Sequence, residues 1–431
     1  MYIELLEKIN SKQAKIGVIG LGYVGLPLAV ELAKKGFTVT GLEVDSKKVE
    51  NINNKKSYIG DIQTKDIAEL VDAKKLCATT NFKAISKLDV IIICVPTPLR
   101  KSKDPDVSYI VSATKEIKEN LQNGQLIILE STTYPGTTAD LVLPMLEETG
   151  LKAGKDFFLA FSPERIDPSN KKWTIANTTK VVGGICKKST ELTAAVYGSF
   201  TTVHKVSSTQ TAEMVKLLEN TFRAVNIGLV NEVALMCDRL GLSVWEVINA
   251  SATKPFGFMK FTPGPGIGGH CIPLDPHYLS WKLKTLNFYS RFIELAGEIN
   301  SKMPEYTVEK LACALNEKAK PIKNSKILVL GVTYKKDVAD LRESPALDVM
   351  TLFVKKQAKL SYYDPYIGSL KIDSKEFKSE KNINNISKYD AVVILTDHSA
   401  IDYKTVVKKS KLVFDTRNAT AQIKSPKVVK I

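Results

Sequence analysis

The sequence predicts an α/β protein: two Rossmann-like, doubly wound domains joined by a central helical domain with one long helix. Three observations carry this. Short apolar runs alternate with helical segments over the first two hundred or so residues. One uninterrupted helical periodicity then fills 211–240, and a second series of apolar runs starts at Lys326. At 431 residues the chain exceeds what one core supports. The divisions expected are 1–206, 207–320 and 321–431.

In the first region 15–19 (KIGVI) and 38–44 (TVTGLEV) read as strands around a helix at 27–35, followed by strands at 90–95, 125–129, 157–161 and 179–182. Continuous apolar runs of this length belong to a parallel sheet covered on both faces. In 211–240, Met214, Leu217, Leu218, Phe222, Val225, Leu229, Val233 and Leu235 recur at helical spacing with no proline between them. A loop rich in glycine and proline runs over 255–276, and helical patterning resumes to about Lys318. In the third region 326–332, 360–363, 391–396 and 412–414 read as strands. Its first strand is followed by Gly331 alone, so this unit is not expected to hold a dinucleotide in the usual way.

The net charge of +15 comes from basic residues scattered among acidic neighbours. Nucleic-acid binders concentrate such charge in a patch or stripe, so no nucleic-acid partner is expected. The excess favours anionic small molecules such as nucleotides. Six cysteines (Cys77, Cys94, Cys186, Cys237, Cys271, Cys313) are widely spread, with no CxxC pair and no metal-ligand spacing. That usage fits a reducing cytoplasm and no metal. The start, MYIELLEKINSKQAK, has no apolar signal-like core, and no run reaches the roughly 18 apolar residues of a membrane span.

Gly20-Leu21-Gly22-Tyr23-Val24-Gly25 follows a strand and opens a helix. Gly20 permits the tight turn, Gly22 lets backbone approach a pyrophosphate, and Gly25 allows close helix packing. The helix N-terminus offers N–H groups and a positive dipole end to the phosphates. Glu43 ends the second strand, where a carboxylate accepts from ribose hydroxyls and repels a 2′-phosphate. NAD is the expected cofactor.

The loop GPGIGGHCIPLDP, 264–276, holds Cys271 among glycines, with Asp275 four residues on. A thiol serves a dehydrogenase that must capture an aldehyde, because a thiohemiacetal can lose a second hydride and become a thioester.

With GLGYVGLP at the N-terminus and YKKDVADLRESPAL at 334–347, this loop resembles the UDP-glucose/GDP-mannose dehydrogenase family over nearly the whole chain. The resemblance implies an N-terminal NAD domain, a central helical domain that dimerises through its long helix, and a C-terminal domain that helps bind a UDP-sugar. It also implies oxidation of a primary alcohol to a carboxylate with two NAD⁺ and one water. Residue by residue, Cys271 matches the nucleophile, and Asp275 and Lys216 match the pair handling the alcohol proton, with Asn220 one helical turn on. Glu164 matches the glutamate of thioester hydrolysis; a second glutamate of that run has no clear counterpart, Pro168 standing near its place. Thr132 matches a threonine near the nicotinamide, Arg342 an arginine on the NAD phosphates, and Lys335 a lysine on the UDP-sugar. Tyr23, Val24 and Thr97 complete the expected cofactor contacts. Arg165, Lys254, Phe261 and Gly268, with Glu164, Lys216 and Asn220, complete those to substrate.

Segments 131–138, 173–184 and 254–266 resemble the branch acting on UDP-N-acetylglucosamine, which implies conversion to UDP-N-acetylglucosaminuronate for surface polysaccharide. UDP-N-acetylmannosamine, UDP-N-acetylgalactosamine and UDP-glucose are the alternatives, since a few contacts discriminate them. The loop 254–260 lacks the arginine that many UDP-glucose enzymes contribute across a dimer. A two-electron NAD dehydrogenase is the remote alternative; it has no use for Cys271.

Overall fold

The computed structural model describes all residues except 61, 101–103, 167–169 and 171, so Pro168 lies outside the described residues. The chain forms two compact units, 1–219 with 277–288 and 220–276 with 289–431.

The first unit is built on eight strands: β1 (Lys15–Ile19), β2 (Thr38–Leu42), β3 (Leu76–Thr79), β4 (Val90–Ile93), β5 (Leu126–Leu129), β6 (Phe158–Phe161), β7 (Lys180–Gly184) and β8 (Val203–Lys205). Their order is β3-β2-β1-β4-β5-β6-β7-β8. Neighbours run parallel except β6 and β7, which pair antiparallel. Alternate side chains of β4 enter different cores: Val90 and Ile92 pack with Ile16, Val18 and Leu126, while Ile91 and Ile93 pack with Ile127 and Leu129. Two covered faces are why β4 and β5 read as unbroken apolar runs. Each such side chain, fully buried, contributes roughly 1.5–3 kcal/mol. Strand order reverses between β1 and β4, and at this switch point the carboxyl ends of an open sheet form a ligand crevice.

The second unit carries β9 (Lys326–Leu330), β10 (Lys359–Tyr363), β13 (Ala391–Ile394), β14 (Val413–Asp415) and β15 (Val428–Lys430), with a hairpin of β11 (Ser369–Ile372) and β12 (Lys375–Lys378). The five form a parallel sheet in the order β10-β9-β13-β14-β15. It too is two-sided: Ile327 and Val329 face one core, Leu328 and Leu330 the other.

The periodic segment is one helix, Thr209–Leu240, and a second long helix covers Arg291–Asn316. The strands expected at 38–44, 90–95, 326–332 and 391–396 each end two residues early. At β2 the cause is visible, because the Glu43 side chain accepts from Val44 N and Asp45 N and turns the chain. Among the described residues no helix is long and apolar enough to cross a membrane.

Candidate active site

The glycine turn gives each glycine a distinct reason. Gly20 has φ +88, and a Cβ there would stand 2.6 Å from Cys94 O. A Cβ on Gly25 would collide with Gly20 O, so helix Gly25–Lys34 can start only with glycine this close to β1. A Cβ on Gly22 meets nothing within 4 Å, so that side of the turn is open. Tyr23 is exposed and Val24 is the helix N-cap. Open backbone ahead of a helix N-terminus suits a pyrophosphate, so these residues fit NAD.

Glu43 is buried, and its oxygens accept from Leu21 N (2.9 Å), Val44 N (2.9 Å), Asp45 N (3.3 Å) and Lys48 Nζ (3.2 Å). The carboxylate therefore pins the glycine turn from below. Tyr58 helps, donating to Leu21 O at 2.7 Å. Thr97, beyond β4, is buried, and its carbonyl accepts from the Tyr278 hydroxyl at 2.7 Å.

Also in the first unit, Lys216 Nζ donates to Thr132 Oγ1 at 2.5 Å. Three residues earlier on the same helix, Glu213 accepts from Gly136 N (2.6 Å), Thr138 N (2.9 Å) and Thr138 Oγ1 (2.6 Å), which fixes the segment after Thr132. Burial outweighs these bonds and pushes the Glu213 carboxyl up to about 7.

Glu164 is buried beside Lys180, whose ammonium bridges Glu164 Oε2 (2.7 Å) and Glu130 Oε1 (2.5 Å). Glu164 Oε1 accepts from Arg165 N and Ile166 N at 2.7 and 2.8 Å, and Tyr197 donates its hydroxyl to Glu130. Burial pushes both carboxyls up. Lys180 overcomes this at Glu164, which sits below the usual range, while Glu130 rises to about 7. Arg165 donates to Glu219 at 2.5 and 3.2 Å and to Thr179 O at 2.7 Å.

In the second unit, Asn220 Nδ2 donates to Asp275 Oδ2 at 2.5 Å. Cys271 is partly buried, and its carbonyl accepts from Leu274 N (3.0 Å) and Asp275 N (2.8 Å). Thiol and carboxylate thus stand one turn apart at the head of helix Asp275–Lys284. The glycines before Cys271 make room for protein: a Cβ on Gly268 would meet Glu343 O and Tyr334 Cβ at 2.7 Å, and one on Gly269 (φ +97) the Tyr334 ring at 2.9 Å. Gly269 N donates to Arg342 O at 3.2 Å. The two motifs read separately in the sequence, 264–276 and 334–347, are therefore packed on each other. Arg342 forks onto Asp340 at 2.7–3.1 Å. Lys335 is half-buried, in a loop where Thr333 Oγ1 donates to Lys335 O at 2.9 Å. Phe261 packs edge-on to Phe222 with centroids 5.9 Å apart, and Lys254 is exposed, its Nζ 5.0 Å from the Phe256 ring.

Sequence reasoning missed the residues that hold these in place. Asn231 accepts from Gly264 N (3.0 Å) and donates to Asn300 Oδ1 (2.8 Å). His398, fully buried, bridges Asp337 N (3.0 Å) and Asp364 Oδ2 (3.0 Å) behind the Lys335 loop. Lys180 and Glu130 each end or begin an apolar strand, and a charge at that place was the available signal.

Two doubly wound sheets, one with a dinucleotide turn at its switch point, define an NAD-dependent oxidoreductase. Residues 14–201, 210–302 and 328–422 match the NAD binding, central and UDP binding domains of the UDP-glucose/GDP-mannose dehydrogenase family. The chain belongs to that family and is an NAD-dependent nucleotide-sugar dehydrogenase. It is 34% identical over 391 residues to UDP-N-acetyl-D-glucosamine 6-dehydrogenase of Pseudomonas aeruginosa, covering 90% of this chain and 91% of that one. It is 36% identical over 422 residues to UDP-N-acetyl-D-mannosamine dehydrogenase of Methanococcus maripaludis strain C7, covering 94% and 92%. The solved UDP-D-ManNAc dehydrogenase of Pyrococcus horikoshii superposes with TM-score 0.87 at 34% identity, covering 97% of this chain and 99% of that one.

Proposed function

We propose that this enzyme oxidises C6 of UDP-N-acetylglucosamine twice, giving UDP-N-acetylglucosaminuronate for surface polysaccharide, through a covalent intermediate on Cys271. The observation that carries the covalent route is the placement of Cys271 one turn before Asp275, itself hydrogen-bonded to Asn220. NAD⁺, when bound, accepts a hydride in each oxidation, and Gly20, Gly22 and Gly25 with the helix N-terminus would hold its pyrophosphate. Tyr23, Val24, Glu43, Thr97 and Arg342 complete the proposed cofactor contacts.

In the first oxidation the 6-hydroxyl gives its proton to a water ordered by Lys216 and Asp275 as hydride leaves C6. Lys216 and Asn220 stabilise the developing alkoxide. The Cys271 thiol adds across the aldehyde, its proton passing to the oxygen, to give a thiohemiacetal. Loss of a second hydride and of the hydroxyl proton leaves a thioester. Water then adds, Glu164 takes its proton, and the thiolate leaves. Thr132 would lie by the nicotinamide; Arg165, Lys254, Phe261, Gly268 and Lys335 would contact the sugar nucleotide.

Relatives named for UDP-N-acetylmannosamine favour that epimer as a second reading. NADH formation with UDP-N-acetylglucosamine, UDP-N-acetylmannosamine, UDP-N-acetylgalactosamine and UDP-glucose, compared by kcat/KM, tests the choice. The highest value with UDP-N-acetylglucosamine supports the reading, and the highest with any other sugar overturns it.

The three-part division at 206/207 and 320/321 assigns NAD to the first region, dimerisation and chemistry to the second, and the UDP-sugar to the third. Phe222, Leu229, Met236 and Leu240 lie exposed along the long helix, with Phe292 and Leu295 exposed on the next long one. An apolar stripe of that kind supports a homodimer of this chain. A working thiol at Cys271 calls for a reducing compartment, which supports the cytoplasm.

A further inference from the structure

The first unit holds an ion cluster whose members other than Glu164 have no part in the chemistry above. Lys180 begins β7, Glu130 follows β5, and Tyr197 ends the helix Lys187–Tyr197. Lys180 is 3% exposed and Glu130 1%. A lysine this deep costs several kcal/mol in desolvation, which is offset only by good geometry to its partners. Here one ammonium meets two carboxylates, at 2.5 and 2.7 Å.

The two carboxylates are not equivalent. Glu130 takes a hydroxyl from Tyr197, and its own burial leaves it titrating at about 7. Glu164 takes two backbone N–H donors as well as Lys180. Glu164 is therefore held from two sides, by the lysine and by the backbone of the segment that follows it.

We propose that Lys180 is a positioning residue for thioester hydrolysis, its ammonium holding the Glu164 carboxylate ionised and aligned, with Glu130 and Tyr197 holding the lysine. The inference rests on Glu164 being the base of that step. In the step, water adds to the thioester carbonyl carbon and gives a proton to Glu164. The C–S bond breaks, and the Cys271 thiolate then recovers a proton. A base that is already protonated cannot take part.

The test uses the full chain with NAD⁺ and the UDP-sugar giving the fastest turnover, and reads three variants in parallel. Lys180→Met keeps the length of the side chain and removes its charge. It is expected to keep a burst of two NADH per Cys271 while steady turnover falls by about 10–100-fold, less than the roughly 100–10,000-fold of a lost general base because Glu164 itself remains. Intact mass should show an acyl adduct on Cys271, and Lys180→Arg should clear it. Equal loss of burst and turnover without adduct, or unchanged turnover, overturns the proposal.

The pH dependence of thioester hydrolysis in the parent keeps the test decisive where Lys180→Met does not fold. The groups facing Glu164 are Glu130, Lys180, Tyr197, Cys94 and Arg165. With Lys180 beside it, Glu164 should lose its proton below the ordinary 4.5, so the acid limb of thioester hydrolysis in the parent should lie below that value; a limb at or above it overturns the proposal. Glu164→Gln separates the two claims. Without an adduct in that variant, the reading of Glu164 fails; an adduct there and none in Lys180→Met overturns only the role of Lys180.

Discussion

Asn220 on the long helix donates to Asp275 at 2.5 Å, and Asp275 is buried at the head of the helix that begins one turn after Cys271. The amide fixes where that carboxylate points. Asn220→Ala should lower the single-turnover rate of the first oxidation by about 10–100-fold. It should cost about 1.5–3 kcal/mol in denaturant unfolding, the value of a hydrogen bond to a charged group. A normal first oxidation would separate Asn220 from the chemistry.

Gly22 and Gly25 make opposite predictions. Gly22→Ala should leave the melting temperature of the protein alone unchanged, since nothing lies within 4 Å of the added Cβ. It should weaken NAD⁺ at least about tenfold in titration, a loss of about 1.4 kcal/mol. Gly25→Ala should destabilise the protein even without NAD⁺, because its Cβ falls on Gly20 O. Equal behaviour of the two would contradict the assignment of the open side to the pyrophosphate.

Glu213 should make stability depend on pH. Burial raises its carboxyl from 4.5 to about 7, so between those values the folded state keeps a proton that the unfolded chain has lost. That stabilisation is complete below about 4.5 and disappears as pH rises through about 7, on the order of 3 kcal/mol in all. Denaturant unfolding of Glu213→Gln across pH 5 to 8 should show a flatter dependence than the parent. Parallel curves would place the effect elsewhere.

Phe222→Glu with Leu229→Glu should dissociate a dimer. Sedimentation velocity of the double variant is expected to show monomer where the parent shows dimer; a dimer that survives would move the interface off this stripe.

Much of the fold was legible because two-sided burial leaves unbroken apolar runs at β1, β4, β5, β9 and β13. β3, β8 and β15 escaped notice because each is short and sits at a sheet edge. Gly20, Gly22 and Gly25 were readable as types because each answers a local backbone demand. The partners of Glu43, and the tie between 264–276 and 334–347, depend on packing between distant segments. No spacing rule reveals those. Lys180 was hidden for a related reason: its role appears only once β5 and the segment after β6 bring Glu130 and Glu164 to it.

The central claim is that Cys271 carries the substrate between two oxidations, and counting NADH in a single turnover tests it most directly. The parent enzyme, in excess over the UDP-sugar, should form two NADH per sugar. Cys271→Ser should stop after one or trap an intermediate, since a hydroxyl adds to the aldehyde less readily than a thiol and its ester hydrolyses more slowly than a thioester. One NADH per sugar from the parent, or two from a Cys271→Ser enzyme turning over at the parental rate, would contradict the account.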